Sequence, residues 1–486
     1  MTTKTSPGAV AALILLTSVE LLVFLEVSIV NVALPAMAAA LGLGQAALAW
    51  VINAYQLTFG GFQLVAGRAA DLFGRRRMFR AGLALFILGS LLAAIADGAA
   101  VLLAARGLQG LGAAIVIPAE LALLAGIFTD PAAYRRAMGV WSAMAALGAG
   151  AGVALGGLLT DWLGWPSVFW INVPIGLLAL ALSGRLLPAD PARPAGGRRP
   201  LGAAGALAAT TALIGLVYVA AELPARGWDP LTAGVSLLTV AAGTLFAVDQ
   251  RRSASPVLPP ALFRIGHVRA GAVASFLVGA VHVPAFVLLT MVLQEAMGYS
   301  AAAAGLAVLP VAAANLAAAR TAVPWAMGRF GPRAVLAAGM ALLAAGLAGH
   351  AALLQPGAGY LTAVLPSALL IGAGLPAVFV AATAPAVRAA GDDLTGAASG
   401  LVNTAQRVGA ALGVTGLLLA ADAWAGSAGG GTAAVADGLR LGLAGAAALA
   451  VAGVLCALLL VPREPGAKAA ERKTEPETAE TAEGGR

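Results

Sequence analysis

The sequence predicts an all-α integral membrane protein built from fourteen spanning helices, and three observations lead there. Charge is scarce: of 486 residues, 10% are charged and 60% hydrophobic, against about 25% charged in an ordinary globular chain. The mean hydropathy is +0.91, so a water-exposed surface for a soluble multi-domain enzyme cannot be built. The apolar residues also fall in long unbroken runs rather than alternating ones, which argues against a β-barrel. Sixty per cent of the chain is roughly 290 residues, and each spanning helix needs about 20, so the ceiling lies near fourteen.

Taken in order, the first six apolar runs are 9–34, 47–66, 79–96, 100–127, 138–160 and 167–187. They define an N-terminal six-helix bundle, residues 1–187. A Pro/Gly/Arg stretch, PADPARPAGGRRP, reads as a cytoplasmic linker over 188–200. Two additional spans, 201–221 and 231–248, occupy 201–248. The C-terminal bundle, 249–461, holds runs 270–291, 302–325, 334–354, 361–385, 399–420 and 439–461. Residues 421–437 read as a Gly-rich outer loop. Residues 462–486 mix acids, bases, Pro and Thr, and read as a disordered cytoplasmic tail. Ala36-Met37-Ala38 looks like a signal-peptidase site, but the run before it is too long and contains Glu20 and Glu26.

Basic residues set the orientation. With the N-terminus inside, 25 of the 29 Lys and Arg residues fall on inner segments. Arg226 and Arg440 fall outside, and Arg106 and Arg407 lie within spans. Both ends are then cytoplasmic. The net charge of +7 reports this asymmetry, not affinity for nucleic acid. Cys456 is a lone cysteine and forms no disulfide within the chain. Arginine far outnumbers lysine (Lys4, Lys468, Lys473), and Ala and Gly abound. This composition suggests a bacterial cell membrane.

An internal repeat organises the spans. GRAADLFGRRR at 67–77 and PWAMGRFGPR at 324–333 align Phe73-Gly74 with Phe330-Gly331, an offset of 257. Gly328 stands where Asp71 would be. Two six-helix halves with two extra helices between them account for the offset, and repeat-built transporters carry their site between such halves.

These segments resemble the major facilitator superfamily, in its fourteen-helix drug:proton antiporter branch. Residues 67–77 are similar to its loop motif GxxxDxxGRRR. LEVSIVNVALP at 25–35 resembles the first-helix motif, with Glu26 at the position usually held by aspartate. LAARGLQGLGAA at 103–114 resembles the fourth-helix motif. WPSVFWINVPIG at 165–176 resembles the sixth-helix entry, with Pro166-Ser167 replacing Arg-Trp. Gln294, Gly298, Tyr299, Ser300 and Pro310 fit the ninth and tenth spans, and SGLVNTAQRVG at 399–409 fits the thirteenth. The fifth-helix motif departs: in GAGAGVALGG, Val153 takes the proline position associated with antiport. The resemblance implies the major facilitator fold and proton-coupled efflux of a lipophilic or cationic drug, antibiotic or natural product. A metabolite symporter or exporter is the alternative, and a membrane enzyme or channel a remote one. No phosphate-binding loop, metal cluster or nucleophile elbow occurs, so no cofactor is expected. The energy source is the proton gradient. The expected partners are protons, the bilayer and the small-molecule cargo, with the monomer as the unit.

Charges inside spans are costly and usually face a cavity or a partner. Glu26 is the leading proton-coupling candidate, and the resemblance implies the same. Glu20 lies about 120° round the same helix, so the two acids point differently. Arg106, Gln109 and Gly110 share a face and suit a partner for a first-helix acid or a structural hub. Glu120 faces nearly the same way as Arg106. It reads as a second proton site, a cation contact, or an interface residue if Pro118 kinks the helix. Asn31, Gln56 and Asn403 join the substrate candidates. Asn53, Gln56, Gly60 and Gln63 form one polar stripe, and Asn403, Gln406 and Arg407 another; each lines water or binds a neighbour. His282 is more readily structural. Gly67, Asp71, Gly74, Arg75 and Arg76 form the gating candidate, in which Asp71 caps an adjacent helix and pairs with arginine. Gly148, Gly152, Gly156 and Gly157 provide a small-residue face for helix packing or hinging.

Overall fold

In the computed structural model, residues 7–190, 203–253, 256, 258–354, 358–391, 394–427 and 431–462 are described. Fourteen helical rods account for nearly all of them. They are α1 (Pro7–Leu41), α2 (Gln45–Phe73), α3 (Arg75–Ala94), α4 (Ala99–Ile127) and α5 (Pro131–Leu163); α6 (Ser167–Leu186); α7 (Ala203–Arg226) and α8 (Pro230–Arg252); α9 (Gly266–Ala296) and α10 (Ala301–Arg320); α11 (Ala322–Leu353); α12 (Tyr360–Ala389); and α13 (Thr395–Ser427) and α14 (Thr432–Leu460). Twelve of these are long and apolar enough to cross a membrane; α2 and α5, 29 and 33 residues long, complete the set. No strand occurs among the described residues. The chain is a multi-pass, all-α membrane protein.

The two halves pack by one plan. α1 lies on α5, α3 on α4 and α2 on α4; in the second half α9 lies on α13, α11 on α12 and α10 on α12. Each pair recurs eight helices later. The repeat is visible in the backbone too. Gly74 separates α2 from α3 at φ 101°, and Gly331 breaks α11 at φ 77°. Both positions sit in the left-handed region that side chains with a Cβ avoid, so the chain turns at the same point of each half. The extra pair, α7 and α8, pack on each other, and α7 also lies against α2 and α13.

Several boundaries differ from those expected. The span expected over 302–325 continues, past a bend at Thr321, to Phe330, because the chain cannot turn before Gly331. The expected loop 421–437 is mostly helix: α13 runs on through Ala421–Ser427 and α14 begins at Thr432. Glycine content suggested a loop there, but alanine-rich flanks favour helix. α6 is interrupted at Ile171, since Pro174 has no N–H for the carbonyl a turn earlier. Residues 191–200 of the linker and 463–486 of the tail lie outside the described residues.

Within each half the seam between the first and fifth helices of the bundle is closed backbone to backbone. A Cβ built on Gly148, Gly152 or Gly156 of α5 would lie 2.5, 2.7 and 2.6 Å from the carbonyl oxygens of Leu21, Leu25 and Ile29 of α1. Ser28 Oγ donates across this seam to the Gly148 carbonyl at 3.3 Å. In the second half, Gly409 and Gly413 of α13 stand against the carbonyls of Phe276 and Ala280 of α9.

Hydrogen bonds between the halves run from the distal face, where α5 ends and α10 begins, to the middle of α2. Asp161 accepts from the Ala301 and Ala302 N–H groups at 3.1 and 2.9 Å and so caps α10. Gln294 Nε2 donates to the Val32 carbonyl at 2.9 Å. Asn53 Nδ2 donates to Thr415 Oγ1 at 2.7 Å, Arg407 Nη1 to Gln56 Oε1 at 2.6 Å and Thr404 Oγ1 to the Gly60 carbonyl at 3.2 Å. Among the described residues, none lies nearer the face where α1 begins. The two polar stripes of the sequence therefore bind each other.

Candidate ion-pair site

α1, α2, α3, α4 and α6 converge on one charged cluster inside the first half. Glu26 and Arg106 are buried, and Arg106 Nη1 donates to Glu26 Oε1. The same nitrogen donates to Gln109 Oε1 at 2.9 Å, one turn along α4. Arg106 Nε donates to the Val51 carbonyl of α2 at 2.9 Å. Asn172 of α6 donates to the second carboxylate oxygen of Glu26. Gln109 Nε2 donates to Ser90 Oγ of α3 at 2.8 Å, and Ser90 Oγ to the Phe86 carbonyl at 2.9 Å. The guanidinium lies 4.6 Å from the Tyr55 ring centre and 5.9 Å from that of Phe169.

Such a pair can form at membrane depth because each charge meets both an opposite charge and hydrogen-bonding groups, which offsets its desolvation. Arginine suits the position: its planar fork reaches several acceptors at once and stays charged in any surroundings. Gly110 makes the site compact, because its face abuts Thr58 and the Tyr55 carbonyl with no room for a Cβ.

A second acidic site lies along the same two helices. Glu20 of α1 and Glu120 of α4 are fully buried and face each other, and neither oxygen of Glu20 nor Oε1 of Glu120 has a hydrogen-bond partner among the described residues. Trp141 Nε1 of α5 donates to Glu120 Oε2 at 3.3 Å. Phe86, Val23 and Ile117 pack in the apolar cluster that includes Trp141. Glu120 does not reach the interface, since α4 runs unbroken through Pro118.

The remaining candidates are dispersed. Asn31 is buried on α1, with no hydrogen bond among the described residues. Gln56 serves Arg407, and Asn403 Nδ2 donates back to its own helix at Ser399. His282 stacks edge-on between Phe286 and Phe379 at 5.4 and 5.0 Å. In the gating loop, the groups that accept from the first N–H groups of α3 are the oxygens of Asp190, beyond α6: Arg76 N donates at 2.8 Å and Arg77 N at 3.1 Å. The side chain of Asp71, expected to cap an adjacent helix, lies outside the described residues. Arg75 Nη1 donates to the Ala122 carbonyl at 2.9 Å, and Arg76 Nη1 to those of Gly184 and Leu187 at 3.3 and 3.2 Å. These bonds tie the start of α3 to the ends of α4 and α6. Gly67 faces Pro118 of α4.

Asn172, Ser90, Trp141, Asp161 and Asp190 were not singled out in the sequence. Two left a trace: Asn172 lies in the INVP segment already noted, and Asp161 is the one acid between Glu120 and the linker apart from Asp130.

Known proteins resemble this chain in sequence and in fold. The profile described as Major Facilitator Superfamily matches residues 16–414. The chain is 39% identical over 423 residues to the cephamycin export protein CmcT of Amycolatopsis lactamdurans, covering 86% of each chain. It is 39% identical over 416 residues to the puromycin resistance protein pur8 of Streptomyces alboniger, covering 83% of this chain and 80% of that one. A bacterial homolog of the human lysosomal transporter Spinster, solved in an inward-facing and unoccupied conformation, has the same fold. Its TM-score is 0.65 at 17% identity, covering 94% of this chain and 97% of that one. The chain belongs to the major facilitator superfamily and is a membrane transporter rather than an enzyme.

Proposed function

We propose that this transporter exports small lipophilic drugs, antibiotics or natural products in exchange for protons, by alternating access. Its relatives support the cargo class: they are an export protein for cephamycin and a resistance protein for puromycin. The single observation that carries the coupling is the buried Glu26–Arg106 pair. A proton arriving on Glu26 removes the negative partner and leaves Arg106 with neutral acceptors alone. Losing one partner of a buried pair costs about 3–5 kcal/mol. Swinging a two-state equilibrium from 1:99 to 99:1 takes about 5.5 kcal/mol. A single proton at this position is therefore of the right size to bias two conformations, where a surface acid is not.

The chain sits in a bacterial cell membrane with both ends cytoplasmic, and acts as a monomer driven by the proton gradient without a cofactor. The bonds between halves cluster from the distal face to the middle of α2, so the distal, outward side is the closed one and cargo enters from the cytoplasm. The Gly67–Arg76 segment, tied to α4, α6 and Asp190, links the first-half helices on the cytoplasmic side. Glu20 and Glu120 offer a second place for a proton.

The test is a drug and dye panel in an efflux-deficient host, with and without a protonophore, for the wild type and Glu26→Gln. Wild-type resistance should collapse with the protonophore, and Glu26→Gln should lose gradient-driven efflux while still reaching the membrane. Normal efflux by Glu26→Gln sinks the coupling assignment. Resistance to nothing shifts the reading to a metabolite transporter.

A further inference from the structure

Two arginines lie at membrane depth, and they are treated differently. Arg106 has Glu26. Arg407, midway along α13, has no carboxylate within ion-pairing distance among the described residues. Its Nη1 donates to the neutral Gln56 Oε1 at 2.6 Å, and its guanidinium carbon lies over Phe59 at 3.5 Å from the ring centre. Nε is buried and donates to nothing among the described residues. Gly60 makes room for the stem: a Cβ there would lie 2.6 Å from Arg407 Cδ. Next to Phe59, edge-on at 5.7 Å, stands Tyr55, whose buried hydroxyl also has no hydrogen-bond partner among the described residues. Arg407 is half-buried, unlike Glu26 and Arg106, and sits where the two halves meet.

The buried acids of the first half lie elsewhere, outside ion-pairing distance of Arg407. Glu26 is held by Arg106 and Asn172, and Glu20 and Glu120 face each other beside Trp141. Glu295 lies at the distal end of α9. The seam thus presents an uncompensated cation, a spare N–H and a spare hydroxyl on an aromatic floor. An unpaired charge at this depth is costly and is retained where something comes to pair with it.

We infer that Arg407, with Gln56, Phe59 and Tyr55, forms a receptor between the halves for a negatively charged group, a carboxylate or an acidic phenol, on a lipophilic aromatic cargo. The guanidinium pairs with the anion and the Phe59 and Tyr55 rings pack against the adjoining aromatic system. This rests on the export reading for its role but not for its test, which needs no gradient.

Purified protein is titrated with acid/ester dye pairs that carry no free phenol, 7-methoxycoumarin-3-carboxylic acid and its methyl ester first, followed by fluorescence polarisation. The wild type should prefer the acid by about tenfold, the worth of a charge-assisted bond. Arg407→Gln should bind acid and ester alike, and Arg407→Lys should recover part of the preference. Gln56→Glu supplies the missing counter-ion within the chain. It should abolish acid preference while raising thermal stability, an outcome open even if Arg407→Gln fails to fold. A wild type that binds no acid of the set overturns the inference, as does equal binding of acid and ester. So does an acid preference that survives Gln56→Glu. Glu26→Gln, which tests coupling, should leave the acid preference intact.

Discussion

The Asp161 cap is a latch between the halves, and its strength can be worked out. Its carboxylate accepts two N–H groups at the start of α10, at 3.1 and 2.9 Å, from the end of α5. The side chain is exposed, so surface N-cap values apply: about 1 kcal/mol on removal to alanine. That is about a fivefold shift in a two-state ratio. Asp161→Ala should therefore open the distal face about five times more often. Asparagine caps nearly as well as aspartate but has one acceptor oxygen in place of two, so Asp161→Asn should give an increase of about twofold. Val32 provides the reporter. It is fully buried, and its carbonyl accepts from Gln294 in the same closed region. In a Cys456→Ser background, Val32→Cys is alkylated with a membrane-impermeant maleimide in whole cells. When closing outpaces alkylation, the rate follows the open population. An unchanged rate in Asp161→Ala refutes the latch, and an equal rise in both variants refutes the two-oxygen geometry.

Two further outcomes are expected. Gly152→Ala puts a methyl 2.7 Å from the Leu25 carbonyl in the α1–α5 seam. It should cost about 1–3 kcal/mol and lower the thermal midpoint of the detergent-purified protein, whereas Gly139→Ala, which meets nothing within 4 Å, should not; equal midpoints would show that the seam relaxes freely. Asn172→Ala leaves one oxygen of Glu26 without its donor. Stranding a charged acceptor costs about 1–3 kcal/mol or more, so transport in proteoliposomes should fall about tenfold at full expression, and wild-type rates would remove Asn172 from the site.

What the sequence showed and what it hid divide along physical lines. A charge at membrane depth is conspicuous because it is expensive, so Glu26 and Arg106 stood out, and their mutual pairing matches the spacing of Arg106 and Gln109 on one face of α4. The Phe-Gly repeat also showed, since only glycine suits both turns. Asn172 lies 146 residues from Glu26 and costs little wherever it sits, so nothing marked it as a ligand of the carboxylate. Asp161 looked like an ordinary boundary acid, because capping a helix 140 residues away is a property of how the halves meet. The residues over 421–437 misled for the opposite reason: glycine there is plentiful, but α13 runs on to Ser427 and α14 begins at Thr432.

The glycine seams have a mechanical consequence. Where α5 meets α1, and α13 meets α9, main chain touches main chain, and little side chain lies between to absorb a push. Each such pair is a stiff beam. From Gly148 to Asp161 the beam extends about 20 Å at 1.5 Å per residue, and it carries the latch at its tip. A small tilt at the level of Glu26, which shares α1 with the seam, is thereby magnified at the distal face rather than dissipated. A small displacement at the level of Glu26 is thereby carried along the seam to the Asp161 cap.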